Sequence, residues 1–505
     1  MTGLIELRSP QHYATSPSQC DGDAAISRQT RTKKLFSFPQ IFSFSFMYFV
    51  TWIIVGVYLY FGLLNGGVLG LIVNYLIVFV GVLAQAACFA ELASILPIAG
   101  AQYFWIYKFS SEKYRRFLTW TQGYATWLGY VFTLATVLNS NTLIIQGVIQ
   151  INYPNFKIEG WTTLVIVLAT LACYTIMNVW FFDFVPWLEL IAGIVNVVSF
   201  IVTVTALLTL SPRNDPQFFL TTSSNSGYVS SFLSWEVGML ACMWLFMGFE
   251  GVIHMAEETK DPERTIPKAM VASIGFNGLL GLGMLFILIL CMPPIEDMLA
   301  APSPFIYLIV TATRNLPLST AIGSSIALVL ICAGMTMFSS ASRLTWAWAR
   351  DRGLPSYFGH VDSTTKIPRR AVLLTSFIVG VMSLLNLHPE AYIALGAITS
   401  LSTLSIYFSY ALVLAVVLHR RLKGDFTLGE WNLGRWGLLL NIFALSYTIY
   451  TMIWLPFPTT LPVTAQTMNY SGPVFVGAGM IVTGLWFGWA KKTGVLQIRN
   501  SSFPS

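Results

Sequence analysis

Charge is what this 505-residue chain has least of: Asp, Glu, Lys and Arg together make up 10% of it, while apolar residues make up 55%. A soluble domain carries roughly 25% charged residues, and a chain of this length would ordinarily divide into about three such domains. Too few charges are present to clothe their surfaces, which argues against a soluble enzyme, a nucleic-acid binder and a disordered scaffold. Paired cysteines are lacking too. The six, Cys20, Cys88, Cys173, Cys242, Cys291 and Cys332, are scattered, with no C-x-x-C and no histidine at metal spacing, so neither a disulfide framework nor a zinc site is expected. Cys88, Cys173, Cys242 and Cys332 lie in apolar runs and read as small hydrophobes. No glycine-rich phosphate loop, G-x-S-x-G or H-E-x-x-H occurs. No enzymatic activity, no cofactor and no metal is expected, and an ATP-driven pump is disfavoured because no nucleotide domain fits between the apolar runs. A cleavable leader is not expected either, since residues 1–35 are polar and an apolar leader core would have to start at the N-terminus.

What is present is a series of long apolar stretches. A membrane helix needs roughly 20 mostly apolar residues. Such runs cover 39–63, 68–92, 117–150, 161–181, 186–210, 237–256, 268–292, 317–349, 370–387, 391–418, 435–456 and 472–490. The expected fold is therefore an all-α polytopic membrane protein of about twelve transmembrane helices in the lipid bilayer. The expected layout is a cytosolic tail at 1–35, a transporter domain at 36–490 and a second cytosolic tail at 491–505. The bases orient it: with the N-terminus cytosolic, only Lys157, Arg213 and Arg314 fall in outer loops, and the other 25 of 28 lie inside. The reverse orientation inverts the positive-inside bias. The mild net charge of +6 is thus loop topology and not a nucleic-acid signal. A sequon, Asn469-Tyr470-Ser471, lies too close to span 12 to be expected to carry a glycan.

Ionisable residues inside spans are costly and mark function by default. Three acids qualify. Glu91, at the inner end of span 2, reads as a cap or a partner for inner-loop bases, and Glu189, soon after Pro186, as a first-turn acid. Glu250 differs: it lies mid-span in Trp244-Leu-Phe-Met-Gly-Phe-Glu-Gly-Val-Ile-His254, between Gly248 and Gly251. Glycine lets the backbone leave the helix, and a helix broken at mid-depth is tolerated where it lines a cavity, as in transporter binding sites. The alternative is close helix packing through small residues, with Glu250 bonded to a neighbour. His254, one turn on, either relays protons or bonds a backbone carbonyl.

Three stretches carry a resemblance. They are Leu63–Trp105, with LLNGGVLGLI and AELASILPIAGAQYFW; Phe246–Met270, FMGFEGVIHMAEETKDPERTIPKAM; and Ser339–Pro355, SSASRLTWAWARDRGLP. With the twelve-span layout, the chain resembles the amino acid–polyamine–organocation permeases, in particular the fungal amino acid/choline/GABA transporter group. The resemblance implies a five-plus-five inverted repeat, similar to the leucine-transporter architecture. Residues 39–210 would form the first repeat, 237–418 the second, and 435–490 two extra helices, with spans 1 and 6 broken. It places Gly248, Phe249 and Glu250 at the span 6 break and Phe49-Val50-Thr51-Trp52 at the span 1 break, and it matches His254, Glu257 and Glu91 to family positions. The chain also departs from the pattern: no glycine precedes Gly56 in span 1, and Ile53 stands where an acid often follows the tryptophan.

The expected substrate-binding residues are Thr51, Trp52, Trp244, Phe246, Gly248, Phe249, Glu250 and Gly251, with Glu250 and His254 as proton-coupling candidates. The activity this implies is secondary, proton-coupled import of a small nitrogenous solute by alternating access, across the plasma membrane. A nutrient receptor with a permease fold and an exchanger are the alternatives. An α-carboxylate has a less obvious seat at span 1, whereas aromatic faces around Glu250 suit a cationic or zwitterionic amine such as choline or GABA.

Overall fold

The computed structural model describes residues 32–301, 303–388 and 391–491, the side chains of 391–394 excepted. Most of the two expected tails lies outside these residues. Among the described residues twelve helices are long and apolar enough to cross a membrane: Phe38–Leu64, Gly67–Ile95, Arg115–Asn152, Gly160–Trp180, Phe182–Leu210, Ser231–Glu258, Pro262–Cys291, Leu316–Arg350, Arg369–Leu387, Leu395–Lys423, Gly434–Trp454 and Ser471–Ala490. We number them spans 1 to 12. An even count returns the described chain to the face it started from, called inner below; the opposite face is outer. Hydropathy located every span, and the largest shifts are at the starts of spans 6 and 7, where polar residues such as Ser231, Ser234 and Glu236, and Glu263 and Arg264, join the helix ahead of its apolar core.

Large apolar side chains such as Ile191, Ile194, Val198 and Ile201 on span 5 are exposed. In a bilayer they face lipid, and the backbone behind them is satisfied within its own helix. Inside the bundle, span 2 packs on span 7, and span 3 lies against spans 8 and 10. Small residues set these approaches: a Cβ at Gly278 of span 7 would run into the Phe79 ring of span 2. Span 11 closes on span 2, where Gln85 donates to Thr448 at 2.7 Å, and Trp120 of span 3 donates to the Val482 carbonyl of span 12 at 3.0 Å. A short helix, Pro304–Thr313, folds between spans 7 and 8, with Phe305 seated where Gly56 leaves no side chain.

Two spans are interrupted. Span 1 consists of helices Phe38–Met47 and Thr51–Leu64, joined through Val50 at φ 39°. A β-branched residue in the left-handed region is strained, so the missing glycine did not prevent the break. Span 6 runs as an α-helix over Ser231–Met243, tightens to a 3-10 turn at Trp244–Phe246, and restarts at Gly248, φ 80°, as a 3-10 segment Phe249–Glu258. The first and the sixth spans are therefore the broken ones.

The inner ends of the spans are held by ion pairs. Arg343 of span 8 meets Glu258 at 3.3 Å with both side chains buried, donates to Asn178 at 2.9 Å and lies 3.8 Å from the centre of the Phe182 ring. Arg350 pairs with Glu257 at 2.8 Å. Glu91 pairs with Arg421 and accepts from the Leu433 amide at 3.1 Å, the partnership with inner-side bases expected of it. Tyr103, on the short helix Gln102–Phe109, donates to Asp351 at 2.6 Å; burial, with Asp351 beside it, holds this hydroxyl well above the ordinary tyrosine range, so it stays a donor. On the outer face the Asn469 amide donates to the carbonyls of Leu455 and Phe457, at 2.7 and 2.9 Å, and is engaged in holding its loop.

Removing one member of the buried pair strands the other charge. Arg343→Met is expected to cost about 3–5 kcal/mol, read as a lower melting temperature of the solubilised protein. Adding Glu258→Gln to it should recover part of the loss.

Candidate substrate site at the two helix breaks

A helix that stops inside a membrane frees amides and carbonyls, and each must find a partner. At the span 1 break Asn277 of span 7 supplies both kinds: its Oδ1 accepts from the Thr51 amide at 3.3 Å, and its Nδ2 donates to the Phe46 carbonyl at 2.9 Å. The Thr51 hydroxyl crosses to the span 6 break and donates to the Leu245 carbonyl at 3.2 Å. At span 6 the Gly248 amide donates to the Tyr410 hydroxyl oxygen at 3.1 Å, and Ser340 donates to the Gly251 carbonyl at 2.9 Å. Spans 7, 8 and 10 thus bind the edges of both breaks.

Glu250 is fully buried in the first turn of the inner half of span 6. Tyr410 of span 10 donates to one of its carboxyl oxygens, and Gln102 donates to the other at 2.9 Å. Among the described residues no basic side chain forms an ion pair with it. Its flanking glycines have separate uses. Gly248 takes the left-handed conformation that restarts the helix, and Gly251 leaves room for the Tyr48 ring. His254 bonds the Ala99 carbonyl through Nδ1 at 2.7 Å, so Nδ1 carries the hydrogen; its ring and that of Tyr130 meet nearly at right angles, with centroids 4.7 Å apart.

Between spans 1, 3, 6 and 8 the breaks enclose a cavity of about 50 Å³, lined among others by Tyr48, Phe49, Tyr58, Ser140, Asn141 and Trp244. That volume holds little more than water, so the cavity is contracted. Above it, an outer vestibule of about 580 Å³ is walled by Tyr60, Asn65, Thr399, Ser400, Thr403 and Tyr470. Tyr58 and Trp244 line both spaces and stack at 5.8 Å with planes 9° apart, forming the partition between them.

Of the eight residues expected to bind substrate, only Trp244 lines the cavity. Trp52 turns to span 5, donating to Asn196 at 2.7 Å. Phe246 packs between Tyr75 and Phe79, and Phe249 between Phe89 and Tyr410. Thr51, Gly248 and Gly251 serve the breaks, and Glu250 lies against Tyr410 and Gln102. Glu189 is not a first-turn acid: span 5's α-helix starts at Val185, and Glu189, fully buried, accepts from Thr336 of span 8 at 2.7 Å. Sequence reading missed Tyr48, Tyr58, Gln102, Asn277 and Tyr410. Asn277 carried a signal, as a lone amide in an otherwise apolar stretch of span 7; the tyrosines carried none in a chain with 21 of them.

Twelve spans, two of them broken around a contracted cavity beneath a vestibule, define a membrane transporter. Residues 37–481 match the family described as Amino acid permease, and the chain belongs to that family, whose members are permeases and not enzymes. Its relatives include a Macrophomina phaseolina protein named as a candidate amino acid/polyamine transporter, 26% identical over 85% of this chain and 96% of the relative. The choline transporter of Saccharomyces cerevisiae is 25% identical over 90% of this chain and 81% of its own. Amino-acid permease 2 of Neurospora crassa is 25% identical, over 85% and 79%.

The packing at Gly251 gives a test of the site's architecture. Gly251→Ala drives a methyl into Tyr48 and is expected to destabilise by about 1–3 kcal/mol. Gly275→Ala, with nothing within 4 Å of the added carbon, should be neutral or slightly stabilising. Parallel melting curves of the two variants compare them.

Proposed function

We propose that this permease is a proton-coupled importer of a small nitrogenous solute, an amino acid, GABA, choline or a related amine, working by alternating access. The observation that carries the reading is the contracted cavity at the two breaks, separated from an outer vestibule by the Tyr58–Trp244 stack. Such a partition is what a carrier needs on one side of its site while ion pairs close the other. The relatives named for choline and for amino acids support the solute class. The 25-to-3 distribution of bases supports cytosolic termini, and the plasma membrane is the location that fits import.

In this mechanism the solute enters from the vestibule, displaces Trp244 and occupies an enlarged cavity among Tyr48, Tyr58, Ser140 and Asn141. Rocking of one set of spans against the other then opens the inner face. Glu250 is the coupling group: a buried acid without a basic partner is neutralised by a proton or by a cation nearby. Its contacts with span 10 and with the helix Gln102–Phe109 make its charge state bear on how the inner half of span 6 is held. His254, bonded at Nδ1 and bare at Nε2 among the described residues, is the second candidate on the proton path.

Uptake of labelled amino acids, GABA, choline and polyamines into permease-deficient cells tests this. Acid outside should accelerate uptake of at least one. Glu250→Gln should lower the proton-driven rate by about tenfold or more while surface expression persists. No transport of any solute by well-expressed protein would falsify the proposal, and counterflow that ignores the pH gradient would identify an exchanger.

A further inference from the structure

Proteins seat anionic ligand groups on the free amides at helix N-termini, and transporters use the half-helices of broken spans in this way. Two such ends lie at this site, and the protein engages an amide of each itself. At the outer half of span 1 the Thr51 amide is held by Asn277 Oδ1 at 3.3 Å, and the Asn277 side chain is fixed in turn by the carbonyls of Phe46 and Ser273, at 2.9 and 3.0 Å. At the inner half of span 6 the Gly248 amide is held by Tyr410 at 3.1 Å, and the first turn already carries an acid, Glu250, where a negative charge suits the helix dipole.

The walls agree with this. Among the described residues the cavity lining contains no Lys, Arg or His, and neither does the vestibule above it. What the cavity offers is four ring systems, Tyr48, Phe49, Tyr58 and Trp244, together with the neutral polar groups of Thr133, Ser140 and Asn141. Aromatic faces attract an ammonium group, and Glu250 lies between Gly248 and Gly251, the two glycines that cradle Tyr48. Among the described residues an entering carboxylate would meet no cation on these walls, would have to displace Asn277 or Tyr410 to reach the Thr51 or Gly248 amide, and would approach the acid Glu250.

Resting on the transport reading above, we infer that the site selects amines and quaternary ammonium compounds that carry no carboxylate, with Asn277 as a specificity-determining residue. The chemistry excluded is the carboxylate end of an amino acid; the chemistry accepted is an ammonium group with a neutral or apolar remainder.

Matched pairs isolate the carboxylate: choline against glycine betaine, ethanolamine against glycine, and putrescine against 4-aminobutyrate. Ligand-induced stabilisation of the purified full chain gives an affinity for each. The carboxylate-free member of every pair should bind at least about tenfold more tightly, the scale of one charge-assisted hydrogen bond left unmade. Equal or tighter binding of the carboxylate member in any pair overturns the inference while leaving the transport reading intact, whereas binding by none of the six overturns both. Asn277→Ala, which frees the Thr51 amide, should narrow the gap within each pair. An unchanged gap in the folded variant removes Asn277 as the determinant, and the wild-type comparison decides the solute class whether or not the variant folds.

Discussion

The structure depends on one requirement: backbone groups released where a helix breaks inside a membrane must be satisfied by the protein, because hydrocarbon offers nothing. Span 1 breaks without a glycine, and its Val50 sits in a strained left-handed conformation. Two side chains answer for the groups thus exposed. Asn277 gives one face of its amide to the carbonyl side of the break and the other to the amide side, and Thr51 reaches across to a carbonyl of span 6. Strain of this kind, about 1–3 kcal/mol, persists only where the surroundings over-determine it. Here spans 6 and 7 do so together, and the two breaks are consequently one construction.

Beneath that construction the inner face is closed. The segment before span 1 is bound to the end of span 6 by backbone: the amides of Leu35 and Phe36 donate to the Glu258 carbonyl at 2.8 and 3.0 Å, and the Lys260 amide returns to Phe36 at 2.9 Å. The carboxyl groups of Glu257 and Glu258 meanwhile hold Arg350 and Arg343 of span 8. The inner halves of the two broken helices are therefore tied to each other by main chain and to span 8 by charge. Backbone pairs of this type are insensitive to salt and proton, whereas ion pairs weaken once water reaches them. The tie between the half-helices is the durable one, and the tie to span 8 is the one that hydration loosens.

Much of this was legible in the sequence, and the limits were physical. The spans announced themselves through length and apolarity, and the scarcity of charge made Glu250 conspicuous. Gly248 and Gly251 correctly marked a break, although only Gly248 is needed for its conformation, Gly251 being needed for the room it leaves Tyr48. Side-chain direction was another matter. A helix that is apolar on all sides gives no periodic signal for which face meets the core, so Trp52, Phe246 and Phe249 could be placed at the right depth but not on the right side. The span 1 break depends on an amide more than 200 residues away, Asn277, and no local pattern reports such a partner. Glu91 was readable because a carboxylate at an inner interface meets the bases that topology concentrates there.

The position of Glu250 joins these points. It is the sole acid of the inner half of span 6 that has no basic partner among the described residues, since Glu257 and Glu258 are both paired. Two of its donors come from elements outside the broken helices, Tyr410 of span 10 and Gln102 of the helix after span 2. Tyr410 also holds the Gly248 amide. One hydroxyl therefore links the acid, the restart of the helix and the surrounding bundle. A change in the charge of Glu250 alters how strongly that hydroxyl is held, and the same hydroxyl fixes the residue on which the inner half of span 6 turns. Chemistry at the acid and geometry at the break share a single atom, so coupling between them requires no relay through the rest of the fold.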